Sequence, residues 1–384
     1  MKKSSKRVNS HFTSERTHHI FGLAVSRESK EDSQSETRAR KSCFRAKATR
    51  GMMLTVVLPL LLLAVVPAQS KKSKLSAYNI VDVTLSGLSS GAYFAVQFHV
   101  AFSKVVNGTA AFAGGPFYCA ESNLEYATSK CMATTLGGPD TSTLVALTNT
   151  DYGLDYIDNP AEMHNDRVYL FSGKDDTVVD PNVVHALQSY YMSFVKSGNV
   201  VADYNVPAEH CMPTIDYGEA CSTLASPYIG NCNFDGAGQA LKFLYPNANL
   251  VRSEPIAANL FAFDQTSYFS SSTASIGDVG YIYVPNACKE GAACHLHVSF
   301  HGCEQNLDKI GSAYAEHSGF NAWAEKSNII VVYPYVKVSS LYPYNPKGCW
   351  DWWSYTGVDY GVKTGVQPRF VRAIISALGV PEQQ

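Results

Sequence analysis

The stretch Val83-Thr-Leu-Ser-Gly-Leu-Ser-Ser-Gly-Ala-Tyr93 constrains this chain more than any other. A β-branched run leads into Gly87-Leu88-Ser89-Ser90-Gly91, and a helical pattern follows. That is the layout of a nucleophile elbow, a tight strand-to-helix turn with a serine at its tip and glycines two residues to either side, where a Cβ would clash. Ser89 is the central serine. A lone G-x-S-x-G proves little, because small residues pack in many loops. The strand before it, the helix after it and partners elsewhere in the chain must decide.

The chain of 384 residues is long enough to bury a large core without help from metals. Its charge is uneven. Residues 1–50 hold thirteen Lys/Arg against five Asp/Glu, residues 51–70 hold neither, and the remainder holds eighteen basic against twenty-eight acidic residues. This net-acidic remainder offers nothing to a nucleic acid. Residues 1–50 are rich in Ser, Lys and Arg and poor in aliphatics, so they are expected to be disordered, either as a targeting extension or as sequence upstream of the natural start. Residues 51–70 read as a secretory signal, with a basic flank, an apolar run and Val66-Pro-Ala68 at the cleavage-like end. A retained signal anchor is the competing reading, since the run approaches the length of a membrane span. Pro59, Pro67 and the small residues favour cleavage, which makes the protein extracellular and without stable membrane association. Residues 77–384 show no repeat and no dividing linker and are expected to form a single catalytic domain, acting as a monomer.

Of ten cysteines, Cys43 lies in the extension and nine lie downstream. Secretion makes disulfides the default. Short spacings suggest Cys119–Cys131, Cys221–Cys232 and Cys288–Cys294, with Cys303–Cys349 as a longer closure and Cys211 left over. No spacing has the paired form of a zinc site, so neither a metal nor another cofactor is expected. Asn107-Gly-Thr109 is a glycosylation sequon in the right compartment.

After the elbow, helical spacing runs from Gly91 to about Val105, and buried strands are expected at Ala110–Gly115, Arg167–Ser172 and Val200–Asn205. Helices are expected over Pro181–Val195 and Phe234–Tyr245. This alternation argues for a mostly parallel sheet with helices on both faces, an α/β fold. The last third adds a β pair at Leu260–Phe269 and Val279–Val284 and strands at His295–Phe300 and Ile329–Tyr333. A helix over Ala313–Lys326 and an amphipathic helix over Arg369–Leu378 complete it.

A serine hydroxyl needs a base to become a nucleophile, and the base needs an orienting carboxylate. In α/β-hydrolases these follow in the order Ser, Asp, His, each on a loop after a sheet strand. Gly173-Lys-Asp-Asp-Thr-Val-Val179 is the acid loop, and its G-x-x-D-x-x-V spacing selects Asp176 over Asp175, which reads as a turn residue. His210, between the last strand of the first block and a helix, is the expected base. The rival His301 lies in His301-Gly-Cys303, which resembles the loop that donates an oxyanion-hole N–H. Its expected role is loop structure, with Cys303 and Ser90 supplying the two backbone N–H donors. That loop ordinarily precedes the nucleophile, whereas here it follows serine, acid and histidine, the last by about ninety residues. A circular permutation explains the order, with the C-terminal helix leading into the Asn79–Leu85 strand and the two ends of the domain adjacent.

Five separated motifs, Gly87–Tyr93, Ala113–Cys119, Asp216–Gly218 with Pro227–Ile229 and Cys232, Phe300–Gln305 and Asn345–Trp353, resemble the extracellular poly(3-hydroxybutyrate) depolymerases of the permuted, single-domain fungal type. The resemblance spans nearly all of 77–384. It implies a serine esterase acting on solid or oligomeric polyester, with Ser89 as nucleophile, Asp176 as acid, His210 as base, and the N–H groups of Ser90 and Cys303 as oxyanion donors. It also implies the Cys303–Cys349 pairing. Cys211, directly after the base, departs from a fully paired set. The separate binding domain of many bacterial depolymerases is absent, so adsorption would fall to the catalytic domain's own surface. Trp350, Trp352 and Trp353, with Tyr93, are read either as core or as the lining of a polyester cleft. Two other functions fit the same residues less fully: a feruloyl or acetyl esterase acting on plant polysaccharide, and a non-catalytic binding protein that keeps a hydrolase shell.

Overall fold

The computed structural model describes residues 73–269 and 274–382. The expected extension and signal sequence, with Cys43, lie outside them. The described residues fall within a compact unit running from Pro67 to Gln384.

Eleven strands are formed among the described residues: β1 (Ile80–Leu88), β2 (Gly108–Phe112), β3 (Arg167–Phe171), β4 (Val200–Asp203), β5 (Met212–Thr214), β6 (Glu219–Ala220), β7 (Ile229–Asn231), β8 (Leu260–Asp264), β9 (Val279–Tyr283), β10 (Cys294–Phe300) and β11 (Ile329–Tyr333). Eight of them make one sheet in the order β4-β3-β2-β1-β10-β11-β9-β8, and β5, β7 and β6 make a small separate sheet. From β4 to β11 all pairings are parallel, while β9 and β8 add an antiparallel edge.

Alternation along the strands divides the core in two. Val168 and Leu170 join Ile330 and Val332 on one face of the sheet, while Tyr169 and Phe171 join Ile329 and Val331 on the other. The first face is covered by α1 (Ser90–Ala101), α4 (Pro181–Tyr191) and α10 (Val366–Ala377), and the second by α5 (Gly236–Leu244), α8 (Ala313–His317) and α9 (Asn321–Ser327). Parallel strands covered on both faces read as continuous apolar runs, as β11 does with Ile-Ile-Val-Val-Tyr. Helices α2 (Leu124–Ser129), α3 (Thr141–Gly153), α6 (Asn286–Lys289) and α7 (Leu307–Ile310) lie in the connections.

The first and last elements of the described fold meet where a permutation requires them to. Tyr78 N–H donates to Leu378 O at 2.8 Å, so the end of α10 abuts the entry to β1. This α/β-hydrolase-like architecture is the expected one. Some boundaries differ for local reasons. The helix expected over 313–326 is two helices, broken at Gly319, whose φ of +96° no helical residue adopts. The elbow helix ends at Ala101, short of Val105, and β8 stops at Asp264, whose side chain caps the turn that follows by accepting Thr266 N–H. Helices α2 and α3 carried little apolar periodicity, yet each starts on a side-chain cap, from Asn123 and Asp140.

Candidate active site

The site lies at the C-terminal edge of the parallel strands, where open α/β sheets place their ligand crevices. Ser89 follows β1 directly and has φ 55° and ψ −123°, outside the regions ordinary residues occupy. The surroundings enforce this conformation. A Cβ on Gly87 would lie 2.2 Å from Gly91 O, and one on Gly91 would lie 2.3 Å from Phe300 O, so both flanking positions admit only glycine. Ser89 N–H donates to Phe112 O on β2, and Ser89 O accepts from Ala92 and Tyr93 in the first turn of α1. A serine at a helix N-cap ordinarily turns its hydroxyl onto the helix, but the Ser89 hydroxyl makes no such bond. Every residue from Val83 to Ser103 is buried except Ser89.

Asp176, on the loop after β3, is buried. Its Oδ1 accepts Val178 N–H at 2.9 Å and Val179 N–H at 2.8 Å, and its Oδ2 accepts from His210 Nδ1 at 2.9 Å. The carboxylate can only accept, so Nδ1 carries a proton and in the neutral ring the lone pair sits on Nε2. Asp175 is exposed, as a turn residue should be. His210 is 6 % exposed and stands between Glu209, which accepts the His210 N–H, and Cys211. Burial, with Asp176 and Glu209 nearby, pushes the Cys211 thiol up to about 12, so it stays protonated. No hydrogen bond joins His210 Nε2 to Ser89 Oγ, and catalytic hydrogen bonds often tighten only with substrate bound.

Gly302, after β10, packs directly on Ser89, and a Cβ there would lie 3.3 Å from Ser89 Cβ. Cys303 follows and is bonded to Cys349. Ser90, the first residue of α1, has a backbone N–H with no intrahelical acceptor, as helix geometry dictates. The rival His301 is fully buried. Its Nδ1 donates to Gly302 O at 2.7 Å, its Nε2 accepts Val336 N–H at 3.3 Å, and burial drops it to about 4, so it serves the loop as a neutral imidazole.

The three shorter disulfides also join the residues expected: Cys119 to Cys131, Cys221 to Cys232 and Cys288 to Cys294. Cys211 is the free cysteine among the described residues. Asn107 is exposed, while its Oδ1 accepts Val83 N–H.

The aromatic cluster divides. Trp350 is wholly buried between Phe94 and Phe300, so of its two readings, core or cleft lining, the structure gives the core. Tyr93 likewise falls on the core side of its two readings. Its ring stacks on Trp352 at 4.1 Å, its hydroxyl donates to Cys131 O, and burial, with Asp176 adding, pushes its pKa well up. Trp352 is 5 % exposed, and only Trp353 of the four is half-exposed, edge-on to Trp352. Sequence reasoning missed Gln305, which lies within the Phe300–Gln305 motif and is completely buried on the loop after β10. Among the described residues no group of three or more His, Cys, Asp or Glu could hold a metal, and no helix is long and apolar enough to cross a membrane.

No protein-family model matches the chain. A poly(3-hydroxybutyrate) depolymerase from Delftia acidovorans is 43 % identical over 298 residues, 77 % of this chain and 59 % of that one, so the chain spans about three-fifths of that relative. A polyhydroxybutyrate depolymerase from Talaromyces funiculosus is 37 % identical over 321 residues, covering 80 % of this chain and 92 % of that one. The crystal structure of the PHB depolymerase from Penicillium funiculosum superposes with a TM-score of 0.73 at 35 % identity, over 80 % of this chain and 98 % of that one. A serine-to-alanine PHB depolymerase complexed with an R3HB trimer gives the same TM-score at 36 % identity, with the same coverage.

Proposed function

The chain belongs to the poly(3-hydroxybutyrate) depolymerase family, and from that premise we propose that it is a secreted serine esterase that cleaves the ester bonds of poly(3-hydroxybutyrate) or related short-chain polyesters. The observation that carries the reading is the conformation of Ser89, which alone in a buried stretch reaches solvent from a strained turn.

In the reaction, His210 Nε2 takes the Ser89 hydroxyl proton as Oγ attacks the ester carbonyl carbon. Asp176 holds the imidazole in the tautomer this needs and then balances the imidazolium charge. The N–H groups of Ser90 and Cys303 receive the oxyanion, each worth on the order of 3 kcal/mol in the transition state. Collapse breaks the bond to the alcohol oxygen of the departing chain, which leaves with the proton from His210. Water then attacks the acyl-enzyme by the same steps in reverse, with His210 as base, releasing the hydroxyacid end and free Ser89.

Supporting the extracellular placement, four disulfides close within the described residues. Supporting adsorption through the catalytic domain itself, Leu341, Tyr342 and Tyr344 are 85 %, 75 % and 66 % exposed on the segment that Cys349 ties to the oxyanion loop. Trp353 is the aromatic of the cluster best placed to meet a polyester methyl group. The test is release of 3-hydroxybutyrate oligomers from polymer film, set against release of ferulate or acetate from cell-wall material. Products from the second material alone would replace this substrate class with plant-polysaccharide esters.

A further inference from the structure

The oxyanion loop is held by one buried amide. Gln305 Oε1 accepts Gly302 N–H at 2.7 Å, and its Nε2 donates to Pro227 O at 2.9 Å and Tyr228 O at 3.1 Å. Tyr228 O accepts a second bond, from Met212 N–H at 2.9 Å, and Met212 stands two residues after His210. The carbonyl of Tyr228 therefore joins the segment that carries the histidine to the loop that carries Cys303, through the Gln305 side chain.

The same loop is fixed at the next peptide. His301 Nδ1–H and Gln305 N–H both donate to Gly302 O, at 2.7 and 3.3 Å. In a trans peptide the N–H points away from the C=O, so a carbonyl held from behind aims Cys303 N–H forward. Gly302 packs on Leu88 O and Ser89 Cβ, which brings this peptide beside the nucleophile.

We propose that Gln305 is the positioning residue of the oxyanion hole, setting the place of Cys303 N–H relative to Ser89 and to the His210 segment. This rests on the serine-esterase reading above. The chemistry calls for an amide, with an acceptor at one end for Gly302 N–H and two donors at the other for two carbonyls. Methionine has similar length and meets neither demand. An ionised glutamate keeps the acceptor but turns oxygen toward the carbonyls of Pro227 and Tyr228, whereas a protonated one accepts at Gly302 and donates at the far end.

The experiment compares Gln305→Met and Gln305→Glu with wild type in the whole chain, reading kcat and KM on p-nitrophenyl butyrate and the affinity of phenylboronic acid. The boronate forms a tetrahedral adduct on the serine and sets an oxygen in the hole. Active sites are counted with a fluorophosphonate, so that only folded enzyme enters kcat. A misplacement of about 1 Å costs on the order of 10²-fold. We expect Gln305→Met to lose about that much kcat and boronate affinity together, with KM within about threefold of wild type. For Gln305→Glu, kcat relative to wild type at the same pH should rise as pH falls from about 9 to about 6, as the buried carboxyl gains its proton. Gln305→Glu decides the matter if Gln305→Met does not fold. Wild-type kcat per active site and unchanged boronate affinity would overturn the proposal, as would a flat pH ratio for Gln305→Glu. A wild-type enzyme without esterase activity would instead sink the underlying reading.

Discussion

His210 Nδ1 donates to Asp176 Oδ2 across 2.9 Å, while the other oxygen of that carboxylate is held by two backbone N–H groups of its own loop. The carboxylate is thus fixed at one end and free to orient the imidazole with the other. An asparagine would keep the shape but could turn its NH₂ toward Nδ1 and select the wrong tautomer. Asp176→Asn should lower kcat on a soluble ester by on the order of 10⁴-fold, while Asp175→Asn, at an exposed turn, stays near wild type. Equal effects of the two substitutions would assign the acid wrongly.

The Cys303–Cys349 bond closes a long loop and anchors the residue whose N–H we propose for the oxyanion hole. On the chain-entropy account its removal costs about 4 kcal/mol, against about 2 kcal/mol for the short Cys288–Cys294 loop. Paired serine substitutions should therefore differ in two ways. Loss of Cys303–Cys349 lowers both the unfolding free energy and kcat, whereas loss of Cys288–Cys294 lowers stability alone. Chemical unfolding and initial rates on the same preparations measure both.

His297 lies in the core between Thr84 and Ser86, whose hydroxyls bond its Nδ1 and Nε2 at 2.8 Å each, and its ring packs near Phe320. Burial pushes it down to about 3. The native state keeps this imidazole neutral where the unfolded chain binds a proton, so its contribution to stability is complete above about pH 6.5 and is lost as pH falls toward 3. Between pH 7 and 4.5, His297→Gln should lose less unfolding free energy than wild type by about 2–3 kcal/mol. Parallel losses in the two proteins would show that His297 is not the group responsible.

Tyr93→Phe removes the hydroxyl that caps the buried Cys131 carbonyl and should cost about 1–3 kcal/mol of stability. Because the ring is sealed beneath Trp352, KM for 3-hydroxybutyrate oligomers should not change. Trp353→Ala, at the half-exposed member of the cluster, should raise that KM with little change in stability. A raised KM in Tyr93→Phe would return that residue to the substrate cleft.

Much of this arrangement was legible because it rests on local rules. Gly87 and Gly91 are glycines because backbone oxygens occupy the space of a Cβ, and that demand shows in the sequence as a spaced pair. The run Arg167–Phe171 and the Gly173–Val179 loop announce a strand end carrying an acid, and Pro181 announces the helix beyond. What the sequence hides is orientation among residues of one kind. Trp350, Trp352 and Trp353 stand together in the chain, yet the first is core and the last half-exposed, and no periodicity survives in a loop to tell them apart. Gln305 was hidden for another reason. Its partners Pro227 and Tyr228 lie far away in sequence and are met through backbone carbonyls, which leave no trace in residue type.

The most direct test of the central claim is hydrolysis of poly(3-hydroxybutyrate) film by the purified chain and by Ser89→Ala. The account predicts soluble 3-hydroxybutyrate oligomers from the first, none above background from the second, and an equally folded variant by thermal melting. Undiminished release of oligomers by Ser89→Ala would contradict it.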